Sequence, residues 1–240
     1  MEEESQRYYS DQNNRNYYRN NYRYPQKEYK MKRFAWVTWL LLIACVIVYI
    51  LEVQLSHSFG ISHQVMTAMG AVNSQLVEHG QLWRLFAAMW LHWSPEHIIS
   101  NMLFLFLTGR QIEKVFGHMR FLAIYLFSGL VGDYFACFLS SPNSLSAGAS
   151  TALFGIMLAG ATLKWTVNER QYGTAMMQLF ISNVVIDIFM PGISLVGHLG
   201  GAVAGLVLGF LLQPKNKTKW YTNLAIQVAI CFLITAVLVR

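Results

Sequence analysis

Apolar residues in this chain fall into long blocks separated by short polar or charged stretches. The blocks cover residues 34–53, 98–108, 121–139, 150–163, 175–190, 194–212 and 221–239. A helix needs about 20 apolar residues to cross a bilayer, and the first block has that length. The second block is short but extends back through His97 and forward to Gly109, and the fourth is also short. The pattern predicts an all-α fold, a polytopic membrane helical bundle of about seven transmembrane helices. Residues 1–33, ahead of the first block, are rich in Tyr, Asn, Arg and Gln without apolar periodicity. They are expected to form a disordered basic cytosolic tail and do not read as a cleavable signal peptide. The expected organisation is thus this tail, a six-helix core over 34–212, and a cytosolic linker with a seventh span over 213–240.

Charge orients the bundle. The chain is 55% hydrophobic and 12% charged, with a net charge of +6, against about 25% charged residues in soluble domains. With the N-terminus inside, the segments 1–33, 109–120, 164–174 and 213–220 hold 16 of the 18 Lys and Arg residues. Positive residues favour the cytosolic side, so seven spans place the N-terminus in the cytosol and the C-terminus outside, in the cell membrane. The basic tail is read as the flank of the first span, which sets nucleic-acid binding aside, and the partner it implies is the lipid bilayer.

Polar groups at membrane depth are costly and mark candidate chemistry. Ser150 opens the fourth block in "GASTA". It has two readings, a capping or packing serine and a nucleophile. His198 stands in "VGHLGGAVAG", where Gly197, Gly201, Gly205 and Gly209 recur every four residues. Such a ridge lets another helix approach closely, and the small residues of the fourth span, including Gly155 and Gly160, make it a suitable partner. That contact would bring Ser150 and His198 to one depth. His97 and Asn101 are spaced i, i+4 on one helix face, suited either to hydrogen bonds between helices or to stabilising an oxyanion. His92 precedes them. Asp133 and Asp187 lie within spans, but no spacing fixes either beside His198, and a Ser–His dyad is the preferred reading. Cys45, Cys137 and Cys231 lie in apolar runs and read as packing residues. No zinc-ligand spacing is visible, and neither a metal nor a cofactor is expected.

The long segment 54–96 contains "GQLWRLFAAMWLHWSPEH", whose Trp83, Trp90 and Trp93 suit a membrane interface. Taken in order, Trp83–Arg84, His92, the His97/Asn101 pair, Gly148 and Ser150 with Phe154 and Gly155, and "GHLGGAVAG" from Gly197 resemble the rhomboid family of intramembrane serine proteases. The seventh span after a six-helix core looks like a bacterial variant of that family. The resemblance implies Ser150 as nucleophile and His198 as general base. It implies an oxyanion hole of Asn101, His97 and the Ser150 backbone N–H. Trp83, Arg84, Glu113, Gly148, Phe154, Gly201 and Gly205 would be structural, and the substrates would be transmembrane proteins. Three positions depart from the common pattern: Thr151 follows the serine, Gly197 precedes the histidine, and Phe154 stands where a tyrosine is frequent. The alternatives kept beside this reading are a non-catalytic membrane-protein binder or quality-control protein on the same fold, and a small transporter. Oligomeric state is not legible.

Overall fold

The computed structural model describes residues 34–166, 170–190 and 192–213. The tail of residues 1–33 and the expected seventh span at 221–239 lie outside the described residues. Among those described, regular structure is helical apart from one isolated β-bridge.

The first block folds as α1, Trp36–Ser56, which ends at His57 in the left-handed conformation. The following segment carries three short helices, α2 (His63–Met69), α3 (Ser74–Glu78) and α4 (Arg84–Ala87), with a 3-10 turn at Ala88–Trp90. Ser62 and Asn73 cap the first two, each accepting a hydrogen bond from a backbone N–H three residues on.

The second block is longer than its apolar run suggested. Ser94 caps α5 (Pro95–Phe104) by accepting from His97 N–H, with Pro95 at the first helical position. The helix passes through a π turn at Leu105–Gly109 and continues as α6, Arg110–Phe116. Charged residues Arg110, Glu113 and Lys114 therefore belong to the helix and not to a loop. After Gly117, at φ 87°, comes α7, His118–Leu139. The later elements are α8 (Ser150–Ala161), α9 (Leu163–Thr166), α10 (Arg170–Phe189) and α11 (Leu195–Leu211).

Three helices, α1, α7 and α10, are each long and apolar enough to cross a membrane. Their outward faces are apolar: Leu40, Ile43, Ile47 and Ile50 of α1 and Ile181, Val185 and Ile188 of α10 are exposed. Such surface is stable against lipid rather than water. By contrast α8 is buried from Thr151 to Ala161. A helix apolar all round belongs in the centre of a bundle. With 12 residues it rises about 18 Å, against about 30 Å of hydrocarbon. Gly148 and Ala149, just ahead of it, are buried as well, so the central helix begins inside the protein.

Glycines set the spacing around α8. A Cβ on Gly201 would strike the Thr151 carbonyl, and one on Gly205 would strike the Gly155 backbone. On Gly209 it would lie 2.8 Å from Ala159 Cα. Three members of the ridge thus face α8. Gly197 instead faces α7, where a Cβ would come 3.0 Å from Ala136 Cβ. Gly160 is not part of the α8–α11 contact, because its open side faces Ile112 Cδ1 at 2.6 Å and Met176 Cγ at 2.8 Å.

Candidate active site

The peptide ahead of Ser150 is held by backbone hydrogen bonds. Val72 N–H donates to the Ser146 carbonyl at 2.8 Å, Ser146 N–H returns the bond at 2.9 Å, and Gly148 N–H donates to the Ala88 carbonyl at 2.9 Å. The 54–96 segment therefore clamps the entry to α8. Arg84 fixes that segment in turn: its guanidinium donates to the Thr67 carbonyl at 2.7 Å, the Ala71 carbonyl at 3.1 Å and Gln81 Oε1 at 2.8 Å. Trp83 is half exposed beside it, with the guanidinium carbon 4.9 Å from its ring centre.

Ser150 is the first residue of α8, after N-cap Ala149, which makes no side-chain cap. The Ser150 hydroxyl does not cap the helix either. It lies 2.6 Å from His198 Nε2. The first backbone N–H groups of a helix lack intrahelical acceptors, so the Ser150 N–H points from the positive end of α8. The first α8 bond of this kind is donated by Leu153 N–H to the Ala149 carbonyl.

Three contacts fix the His198 imidazole. Phe154, one turn past Ser150, stacks on it with centroids 4.2 Å apart and planes at 17°. Ser150 Oγ meets Nε2. On the other side, Asp187 Oδ2 meets Nδ1 at 2.6 Å. This last contact departs from the sequence reading, in which no spacing tied Asp187 to His198. The carboxylate comes from α10, along an inward stripe of Gly173, Met176, Phe180 and Val184. The second intramembrane acid, Asp133, is buried and accepts from Thr151 Oγ1 at 3.1 Å. Thr151, the departure from glycine after the serine, thus anchors the start of α8 to α7.

His97 reaches the same place from α5. A Cβ added to Gly148 would lie 2.9 Å from His97 Nε2 and 3.5 Å from Ser150 Oγ. Only glycine leaves this gap open, and its φ of 144° suits glycine as well. His97 Nδ1 accepts from Trp93 N–H at 3.4 Å, which leaves the proton of a neutral ring on Nε2. Asn101, one turn further on the same face, is buried, and its Nδ2 has no partner among the described residues. A buried amide without an acceptor is destabilising by about 1–3 kcal/mol, a state that Trp90 Nε1 and His92 Nε2 share among the described residues.

Two further acids act as ties. Glu52 of α1, absent from the sequence reading, is buried and accepts from His92 N–H with both oxygens at 3.2 Å. The His92 ring packs edge-on against His97 at 5.2 Å. Glu113 is not part of the Ser150 site. It lies roughly 24 Å along the helix from His97. There it accepts from Val37 N–H, Thr38 N–H, Thr38 Oγ1 and His118 Nδ1 at 2.5–3.0 Å, capping α1. Cys45 and Cys137 are buried and free; Cys231 lies outside the described residues.

A helical bundle with a lipid-compatible surface and a Ser–His–Asp contact chain, buried at His198 and Asp187 and partly open at Ser150, defines a polytopic membrane protein with a hydrolase-like site. The family model for the Rhomboid domain matches residues 79–215. RHOMBOID-like protein 5 of Arabidopsis thaliana is 38% identical over 165 residues, covering 65% of this chain and 53% of that protein. Rhomboid-like protease 3 of Toxoplasma gondii is 31% identical over 79% of this chain and 73% of its own length. Rhomboid protease GluP of Bacillus subtilis is 33% identical over 71% of this chain and 35% of its own. The chain belongs to the rhomboid family, whose members are typically intramembrane serine proteases. It spans about half the length of the plant relatives it matches.

Proposed function

We propose that this chain is an intramembrane serine endopeptidase that cleaves transmembrane segments of membrane proteins near the outer membrane face. Ser150 is the nucleophile and His198 the general base; His97, Asn101 and the Ser150 N–H form the oxyanion hole. The observation that carries this reading is the 2.6 Å contact between Ser150 Oγ and His198 Nε2 at the open start of a buried helix. It is supported by the buried Asn101 amide, which has no acceptor among the described residues, and by the His97 Nε2–H facing the Gly148 gap.

A peptide bond in a membrane helix has its carbonyl hydrogen-bonded and is kept from water. The substrate must therefore unwind locally before its carbonyl reaches Ser150. As Oγ bonds to the carbonyl carbon, its proton passes to His198 Nε2 and the carbonyl π electrons move onto oxygen. The oxyanion accepts hydrogen bonds from the three donors, each contributing about 3–4 kcal/mol to the transition state. The C–N bond then breaks, and the leaving amine takes the proton from Nε2. Water attacks the acyl-serine, giving its proton to Nε2; that proton returns to Oγ as the acid departs. His198 has to be neutral at the start of each half-reaction.

Under this reading the core is residues 34–212, with the N-terminus in the cytosol of a cell whose plasma membrane holds the protein. The test is cleavage of a single-span substrate by the purified chain in proteoliposomes. Cleavage lost in both Ser150→Ala and His198→Ala supports the reading. Undiminished cleavage in both rejects it, and absence of cleavage by the wild type points to a binding role for the same fold.

A further inference from the structure

We propose that Asp187 is the positioning residue of this site, acting through His198 so that Ser150, His198 and Asp187 work as a triad. The proposal rests on the reading of Ser150 and His198 as the reacting pair.

A neutral imidazole has one N–H and one lone pair. For His198 to take the Ser150 proton, Nε2 must carry the lone pair and Nδ1 the hydrogen. Nothing in a Ser–His pair alone selects that tautomer. Asp187 does, because a carboxylate only accepts, and Oδ2 sits 2.6 Å from Nδ1. The same negative charge stabilises the imidazolium that forms once Nε2 is protonated. Phe154 fixes the plane of the ring, and Asp187 fixes its rotation and its proton.

The placement of Asp187 supports a role beyond filling space. Much of α10 presents apolar side chains outward, yet this carboxylate is turned inward and is 8% exposed. A carboxylate at this depth is expensive without a partner, and among the described residues its hydrogen-bond partner is His198 Nδ1. The other buried acids have different partners: Asp133 is engaged by Thr151, Glu52 by the His92 backbone, and Glu113 by the start of α1.

The test compares wild type, Asp187→Asn, Asp187→Glu and Ser150→Ala in proteoliposomes with one single-span substrate, alongside thermal melting. Asparagine keeps the volume but removes the charge, and it can present its NH2 to Nδ1 and so favour the wrong tautomer. The expected result is a kcat lowered roughly 10²- to 10⁴-fold, KM within about twofold, an unchanged melting midpoint, and partial recovery of kcat in Asp187→Glu. Asp187→Asn with kcat within about threefold of wild type would overturn the proposal. So would a parallel loss of kcat and melting midpoint that glutamate does not restore, since that marks a structural tie between α10 and α11. Ser150→Ala separates the two levels. If it still cleaves, the reading of the reacting pair fails; if it is dead while Asp187→Asn is fully active, only this inference fails.

Discussion

Gly205 of α11 meets Gly155 of α8 backbone to backbone, close enough that a Cβ on Gly205 would overlap the Gly155 carbonyl and Cα. Because the obstruction is main chain, it cannot swing aside. Gly205→Leu is expected to destabilise the bundle by roughly 3 kcal/mol or more, read as a lower melting midpoint in detergent. Gly160→Ala meets side chain rather than backbone, the end of Ile112 at Cδ1 and the root of Met176 at Cγ and Cβ, and a smaller loss of about 1–3 kcal/mol is expected there.

Gly148 separates His97 from Ser150. In Gly148→Ala the new methyl would press on His97 Cε1 at 2.8 Å and Nε2 at 2.9 Å. Cleavage is expected to fall about 10²-fold, the scale of losing one oxyanion donor. The strained φ of 144° should lower stability by about 1–3 kcal/mol. Cleavage assays normalised to folded protein separate the two effects.

Glu113 supports the fold away from the chemistry. Glu113→Gln keeps an acceptor but replaces one carboxylate oxygen with an amide donor facing the start of α1. A stability loss of about 1–3 kcal/mol is expected, with kcat per folded molecule unchanged, as measured by melting and by active-site titration.

His92, in the loop before α5, is buried, and its pKa is pushed down to about 3 by desolvation and then by His97. Above the ordinary value of 6.5 both folded and unfolded chains hold it neutral, so its contribution to stability is complete there. As pH falls from 6.5 toward 3, the unfolded chain takes up a proton that the folded chain refuses, and stability declines by up to about 1.4 kcal/mol per pH unit. His92→Gln should remove that part of the acid sensitivity, seen by comparing melting midpoints of the two proteins from pH 7 to pH 4.

The contact of α8 with α11 was legible because its cause is local: glycines every four residues leave a groove that a second helix fills. The pairing of His97 with Asn101 followed from helical spacing in the same way. Asp187 was hidden for a physical reason. In lipid the outward face of α10 is as apolar as the inward one, so the stripe of Gly173, Met176, Phe180 and Val184 on which Asp187 lies does not stand out as an amphipathic face. Reading that stripe at steps of three and four residues would have placed the acid toward the bundle. The full length of the second helix is not legible in its apolar block, because Arg110, Glu113 and Lys114 interrupt the hydrophobic pattern. Glu113 is buried against the start of α1, which permits a charged residue inside a helix. The clamp on residues 146–148 depends on Val72 and Ala88, distant in sequence and ordinary in type, and no local pattern marks them.

The central claim is that Ser150 is a nucleophile activated by His198. The most direct measurement is labelling by a serine-directed fluorophosphonate probe, with the modified peptide located by mass spectrometry. The account predicts that the folded wild type is labelled on Ser150, and that His198→Ala, equally folded, is labelled at least about 10²-fold more slowly. Labelling of Ser150 at the same rate in wild type and His198→Ala, or no labelling of Ser150 in a wild type that cleaves its substrate, would contradict it.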